Sequence, residues 1–225
     1  MYEFVRGPLL WIAVIIFIAG FIHRTVRLFQ LTKRIEPALC PASDPKNNPG
    51  KSVSKEEARL EKIARFQNSV LGRHPVMTIV SAVFHFCLFA TPLFLLAHNV
   101  MLRSGLGISL PSVPDALADS MTIIVLGCGL FFLVRRIAVP KVAAISGTYD
   151  YVALFIVILP YLTGFLAYHQ VFEYRTMIIM HMLTGELMLI VLPFTKVGHM
   201  VFFFFSRMTL AGEYCMGRGS RTWST

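Results

Sequence analysis

Two histidines, His181 and His199, stand eighteen residues apart in the apolar run MIIMHMLTGELMLIVLPFTKVGHMV. Eighteen residues make five helical turns, so on one helix both imidazoles share a face, separated by about 27 Å along the axis. That separation is close to the ~30 Å hydrocarbon thickness of a bilayer. A second apolar segment carries His85, in VSAVFHFCLFA, and His98, in FLLAHNV. Imidazole is a ligand by which proteins hold haem iron, and two imidazoles on one iron leave no coordination position open to a substrate. Residue types and spacing together point to two haems stacked across a membrane and to electron transfer as their chemistry.

The elements that must position these histidines are transmembrane helices. Of the 225 residues, 56% are hydrophobic and 15% charged, against about 25% charged in a globular chain. The mean hydropathy is +0.66. This describes an integral membrane protein of one bundle, a single domain over residues 1–225. A net charge of +9 would suit nucleic acid, but the basic residues lie between apolar stretches with no base-reading motif, which excludes that class. Cys40, Cys87, Cys128 and Cys215 show neither the CxxC and CxxCH spacings nor an iron-sulfur run, so histidine must hold any redox centre. The first apolar run, with Glu3 and Arg6 before it, is too long for a signal peptide and lacks the cleavage pattern, so a membrane helix is expected there.

Five apolar segments are long enough to span, at about 7–29, 76–101, 117–138, 149–170 and 176–205. The fold class expected is all-α, a five-helix membrane bundle. Lys and Arg set its orientation. Eighteen lie on the side of the 1–2 connection, the 3–4 connection and the C-terminus; the other side has Arg6, Arg103 and Arg175. By the positive-inside rule the N-terminus is periplasmic and the C-terminus cytoplasmic, in the inner membrane. The cytoplasmic connection, about 30–75, opens with a Pro- and Asn-rich irregular stretch. It continues with a capping box, Ser54 and Glu57, ahead of Leu60, Ile63, Ala64 and Val70 at helical spacing. Residues 54–70 read as an amphipathic helix that docks a cytoplasmic subunit. No internal repeat supports a transporter built from inverted halves.

With that topology the second and fifth spans are antiparallel, pairing His85 with His199 near the inner face and His98 with His181 near the outer one. Ala82, Gly185 and Gly198 lie close to these positions and leave clearance for a flat macrocycle. His85 and His98 are thirteen residues apart, about 140° from sharing a face, but Pro92 between them would bend or unwind the helix and bring His98 round. His74 is the rival, eleven residues before His85 on nearly the same face. It directly precedes Pro75, at or outside the helix start, and His98 is preferred.

Other residues invite two readings each. Arg135 and Arg136 would pair with the propionates of the inner haem, or simply anchor the helix end at the cytoplasmic face. Glu186, in mid-span, is expensive enough to be a functional candidate; it points away from the haem face, toward a proton-relay role or a hydrogen bond to another helix or subunit. Phe202 to Phe205 read as an interfacial aromatic belt, and His23 and His169 as interfacial polar residues.

HMLTGELMLIVLPFTKVGH resembles the fifth helix of the gamma subunit of respiratory nitrate reductase, and RRIAVPKVAAISGTYDY the loop entering that family's fourth helix. The likeness covers most of the chain from His85 onward. It implies two b haems between helices 2 and 5, on His85, His98, His181 and His199, under an external N-terminus. The family's helix-2 histidines are usually ten residues apart, so three residues are inserted here around Thr91 and Pro92. The long cytoplasmic connection and LFATPLFLLAHNV are similar to the cytochrome b subunits of transmembrane redox complexes in sulfate-reducing bacteria, closest to that of the high-molecular-weight cytochrome c complex. Such a resemblance implies other membrane subunits, a periplasmic multihaem cytochrome c, a cytoplasmic iron-sulfur protein and, from relatives that oxidise menaquinol, a menaquinone site. The expectation is therefore an electron-transfer subunit. A quinol-oxidising subunit with its site near the outer haem, and a haem-free anchor or transporter, are the alternatives.

Overall fold

A bilayer interior offers backbone amides and carbonyls no partner outside the chain, so a sequence of long apolar runs must fold as helices or a closed barrel. The computed structural model describes residues 2–32, 56, 59, 60, 63, 67, 70–195, 198 and 199, and every regular element among them is helical. Five helices are long and apolar enough to cross a membrane: Tyr2–Gln30, Pro75–Phe94, Asp115–Ala138, Thr148–Tyr168 and Tyr174–Phe194. The protein is an all-α, multi-pass membrane protein.

The chain divides into two compact units. One comprises Met1–Phe17 and Val76–Thr195, the other Ile18–Pro75 and Lys196–Thr225. The first begins with the helical turn Tyr2–Phe4 and a π turn, Val5–Leu9. Pro8 lies inside that turn, where its missing N–H interrupts α-helical bonding. The long helix α1 (Leu10–Thr32) follows and runs on into the second unit.

Within the first unit come α2 (Pro75–Phe94, whose Pro75 belongs to the second unit), α3 (Leu96–Leu106), α4 (Asp115–Ala138), α5 (Thr148–Tyr168) and α6 (Tyr174–Val191). The backbones of α4, α5 and α6 pack in that order. Gly129 on α4 allows the first contact, since a Cβ there would stand 2.5 Å from Ile158 Cδ1. α2 meets α4 and α5 through side chains, with the Phe84 ring edge-on to Phe132 at 5.1 Å and the Tyr161 hydroxyl on Leu88 O. Polar groups go inward: Thr91, Asn99, Thr163, Thr184 and Glu186 are buried, while Ile15, Phe86, Val100, Leu130 and Phe155 are exposed. Large apolar residues face outward in this way against lipid or the apolar surface of another membrane subunit.

The span expected over 76–101 is two helices. Pro92 cannot donate to Leu88 O, and Tyr161 on α5 gives that carbonyl its hydroxyl instead. Three residues later the helix stops: Leu95 is extended (φ −69°, ψ 130°) and α3 restarts at Leu96. α3 ends on Gly107, whose φ of 71° is a left-handed conformation suited to glycine.

The span expected over 176–205 is also interrupted. α6 ends at Val191 and passes through a 3₁₀ turn, Leu192–Phe194, into an extended Thr195 (φ −111°, ψ 169°). Pro193 removes the donor that would continue the α-helical ladder. His181 and His199 therefore do not share one unbroken helix, and five regular turns do not set their relation.

In the second unit α1 continues from Ile18, and the short helix Val70–Arg73 precedes His74. Of the amphipathic segment 54–70, the described Glu56, Arg59, Leu60, Ile63, Gln67 and Val70 are helical. Its capping box at Ser54 and Glu57 lies outside the described residues, as do the irregular stretch before it and Phe202 to Phe205.

Candidate functional site

The break in the second span carries His98 toward α6. Its ring lies 5.9 Å from that of His181, centre to centre, with the planes 7° from parallel. Each ring is anchored by one nitrogen. Nδ1 of His98 donates to Pro92 O at 2.9 Å, and Nδ1 of His181 donates to Pro160 O at 2.9 Å. A carbonyl only accepts, so the ring proton is on Nδ1 in both residues, and Nε2 presents its lone pair. Nε2 of neither ring has a hydrogen-bond partner among the described residues.

The anchors come from the two proline-marked helices. At the end of α2, Thr91 O accepts from Leu95 N and Phe94 O from Val113 N, each at 3.0 Å. Pro92 O is left for the imidazole. On α5, Gly164 gives His181 access to Pro160 O: a Cβ at 164 would stand 2.9 Å from Nδ1 and 3.0 Å from Cε1. Thr184 ties the next turn of α6 to α5, donating to His181 O at 3.0 Å and meeting Thr163 Oγ1 at 3.1 Å. Gly185, one turn beyond His181, is different, because a Cβ there would meet nothing within 4 Å. That is open space of the kind a flat ligand needs.

Asn99 holds α3 in place. It is buried, donates to Ser112 Oγ at 3.0 Å and to Pro111 O at 3.4 Å, and accepts from Leu110 N at 3.2 Å. Asn99, Tyr161, Thr163 and Gly164 escape a reading that looks for ligands. The signal for Asn99 is a carboxamide inside an apolar run, and for Gly164 its place one turn after Pro160.

His85 lies on α2, half-buried, with Nδ1 donating to Ser81 O at 2.6 Å and the Phe84 ring edge-on at 5.2 Å. It has the same tautomer as His98 and His181. His199 is helical and exposed and belongs to the other unit, so its pairing with His85 rests on the sequence. His74 is exposed, between two helices, and also in the second unit. His98 is the residue brought to His181.

Arg135 and Arg136 are half-buried at the end of α4. Arg136 Nη1 donates to Ser146 Oγ at 3.1 Å, and Tyr151 Oη to Arg136 O at 3.4 Å. These bonds tie α4 to the start of α5, as a helix-end anchor does. His169 Nε2 meets Asp119 Oδ1 at 2.9 Å, and His23 is exposed. Glu186 is buried, and neither carboxylate oxygen has a hydrogen-bond partner among the described residues.

No group of three or more His, Cys, Asp or Glu side chains fit to hold a metal occurs among the described residues. A metal taken by the His98 and His181 pair must bring its remaining ligands with it, as iron in a macrocycle does. The spacing fits that arrangement. With both Nε2 atoms turned to one metal from opposite sides, two metal-nitrogen bonds of ~2 Å and roughly 1 Å from each nitrogen to its ring centre would put the centres about 6 Å apart. The donor set, its tautomers and the open space at Gly185 all suit a haem.

A protein of Nitratidesulfovibrio vulgaris (strain Hildenborough), carrying only the description "Protein", is 35% identical to this chain over 223 residues. The match covers 99% of this chain and 97% of the relative. The chain belongs to that protein's family. Both units, and both histidine-bearing regions, fall within the shared length. No family model and no solved structure matches the chain.

Proposed function

We propose that the protein is a di-haem b subunit carrying electrons across the cytoplasmic membrane within a multi-subunit redox complex. The observation that carries this reading is the His98 and His181 pair: two parallel imidazoles 5.9 Å apart, each with its Nδ1 proton held by a proline carbonyl. Carbonyls that accept from the other ring nitrogen in this way fix the tautomer and orientation of metal-ligating histidines. Haem b bound there would supply reversible one-electron exchange with no open coordination position.

The chain's own part is positioning. Pro92 and Pro160 free or shape the carbonyls, Gly164 admits the His181 ring, and Asn99 fixes the helix that bears His98. His85 and His199 are assigned to a second, inner haem on the sequence pattern. The positive-inside distribution of charge supports a periplasmic N-terminus and a cytoplasmic C-terminus. The outer haem would then exchange electrons with a periplasmic multihaem cytochrome c or with menaquinol. The inner one would serve a cytoplasmic iron-sulfur subunit.

The decisive measurement is a reduced-minus-oxidised spectrum of the protein purified from membranes grown with haem supply. Bands of two low-spin b haems are expected, and a colourless, correctly folded protein would leave a haem-free anchor or transporter.

A further inference from the structure

Glu186 is the buried ionisable group that the haem reading leaves unused. It lies on α6 five residues past His181, about 7.5 Å farther along the axis. It is 4% exposed, and Oε1 and Oε2 are both without a hydrogen-bond partner among the described residues. The elements packed against α6 include α5, the turns Val5–Leu9 and Leu192–Phe194, and α3 through His98. Their ionisable side chains are Arg6, His98, Arg103, Tyr149, Asp150, Tyr151, Tyr161 and Tyr168. None of them bonds the Glu186 carboxyl. Tyr161 is committed to Leu88 O, Tyr151 to Arg136 O and Asp150 to Gly147 N, while Arg6 is exposed.

An unpaired carboxylate in a low-dielectric interior is costly enough that the group takes up a proton instead. Ionisable residues inside membrane spans mark proton and ion routes for the same reason. Charge nearby then sets how firmly the proton is held. With an effective dielectric of ~20, a unit charge at about 10 Å changes proton affinity by roughly tenfold.

We propose that Glu186 is a proton-binding site in the membrane interior, which loads a proton when an electron arrives at the His98 and His181 pair and releases it when the electron leaves. The coupling rests on the haem reading; the proton site does not. With a haem held by His98 and His181, a quinol or cytochrome donor would give up one electron and that group would take it. One proton from water forms an O–H bond on the Glu186 carboxylate, so the charge of the region is unchanged.

Infrared spectroscopy tests the site directly. In reduced-minus-oxidised difference spectra of the haem-loaded protein, a carboxylic-acid carbonyl band that shifts in D2O should appear on reduction with dithionite and be absent from Glu186→Gln. The potential of one haem should fall with rising pH in the unaltered protein, keep that slope in Glu186→Asp and lose it in Glu186→Gln. A band and a slope that both survive in Glu186→Gln overturn the coupling. If the protein shows no b-type bands at all, it is the proposed function that fails. The static spectrum of the chain in liposomes at neutral pH then decides the proton site, supported by a protonated-carboxyl band missing from Glu186→Gln and overturned if the two spectra coincide.

Discussion

Gly164 and His181 are in contact so close that a Cβ on residue 164 would stand 2.9 Å from the imidazole Nδ1. The neighbour that would have to give is a ring held to Pro160 O at 2.9 Å. Gly164→Ala sets two effects against each other. Alanine favours a helix by about 1 kcal/mol over glycine, whereas overpacking of a fitted interior costs ~1–3 kcal/mol. α5 should therefore remain folded while His181 is pushed off its anchor. Under the proposed di-haem function, the expected result is a helical protein, by circular dichroism, whose haem content falls from two per chain toward one. Full haem content in Gly164→Ala would mean that the ring's position is not set by this contact.

Replacing His98 and His74 separately distinguishes the two candidates for the outer ligand. The His98 ring lies nearly parallel to that of His181 with centres 5.9 Å apart, and His74 is exposed in the other unit. His98→Ala should remove one b haem and leave a spectrum with one midpoint potential. His74→Ala should keep both. The reverse pattern would return the outer site to His74.

How far the sequence shows this arrangement depends on the range of the interaction. The five spans are legible because each is a local run, and the proximity of His98 to His181 is legible as a possibility because Pro92 announces a disturbance. Where the helix breaks is not local. Leu95 becomes the boundary because Tyr161, 73 residues after Leu88, takes the carbonyl that Pro92 abandons, and because Val113 reaches back to Phe94 O. The end of α6 hides for another reason. Hydropathy stays high across Pro193, so an apolar run conceals a backbone interruption that the proline alone signals.

Tyr161→Phe isolates the role of that carbonyl. The substitution keeps the ring and removes the hydroxyl, leaving Leu88 O buried without its donor, at a cost of about 1–3 kcal/mol. Thermal unfolding in detergent should shift down by several degrees, with the haem spectrum retained at low temperature. An unchanged transition would show that water or another donor replaces the hydroxyl.

Asn99→Ala should act on the His98 and His181 pair from a distance. Asn99 is buried and makes bonds to residues 110, 111 and 112, so alanine leaves several polar groups of the connection between α3 and α4 unpaired. Limited proteolysis should become faster between Gly107 and Pro114. If the proposed di-haem reading holds, the haem attached through His98 should show a broadened or shifted potential, while the other is unmoved. Asn99→Asp, which keeps the acceptor for Leu110 N, should do less damage than alanine.

The start of α6 carries a pH dependence that can be read without any haem. Glu173 caps this helix, accepting from Thr176 N at 2.6 Å and Arg175 N at 2.9 Å. Hydrogen bonds from Thr176, then from Arg175, hold its carboxyl below the usual glutamate range. A depressed folded-state value means that the cap's contribution is complete above the unfolded glutamate value, about 4.3, and is lost as the pH falls through the lower folded one. Amide exchange at Arg175 and Thr176 should therefore be protected at neutral pH and accelerate, relative to the middle of α6, as the pH drops below about 4. Glu173→Gln should show weaker protection at neutral pH and no such acid-dependent loss, because its amide oxygen accepts without titrating. Equal protection in both proteins across that range would mean that the backbone alone, and not the carboxylate, closes the helix end.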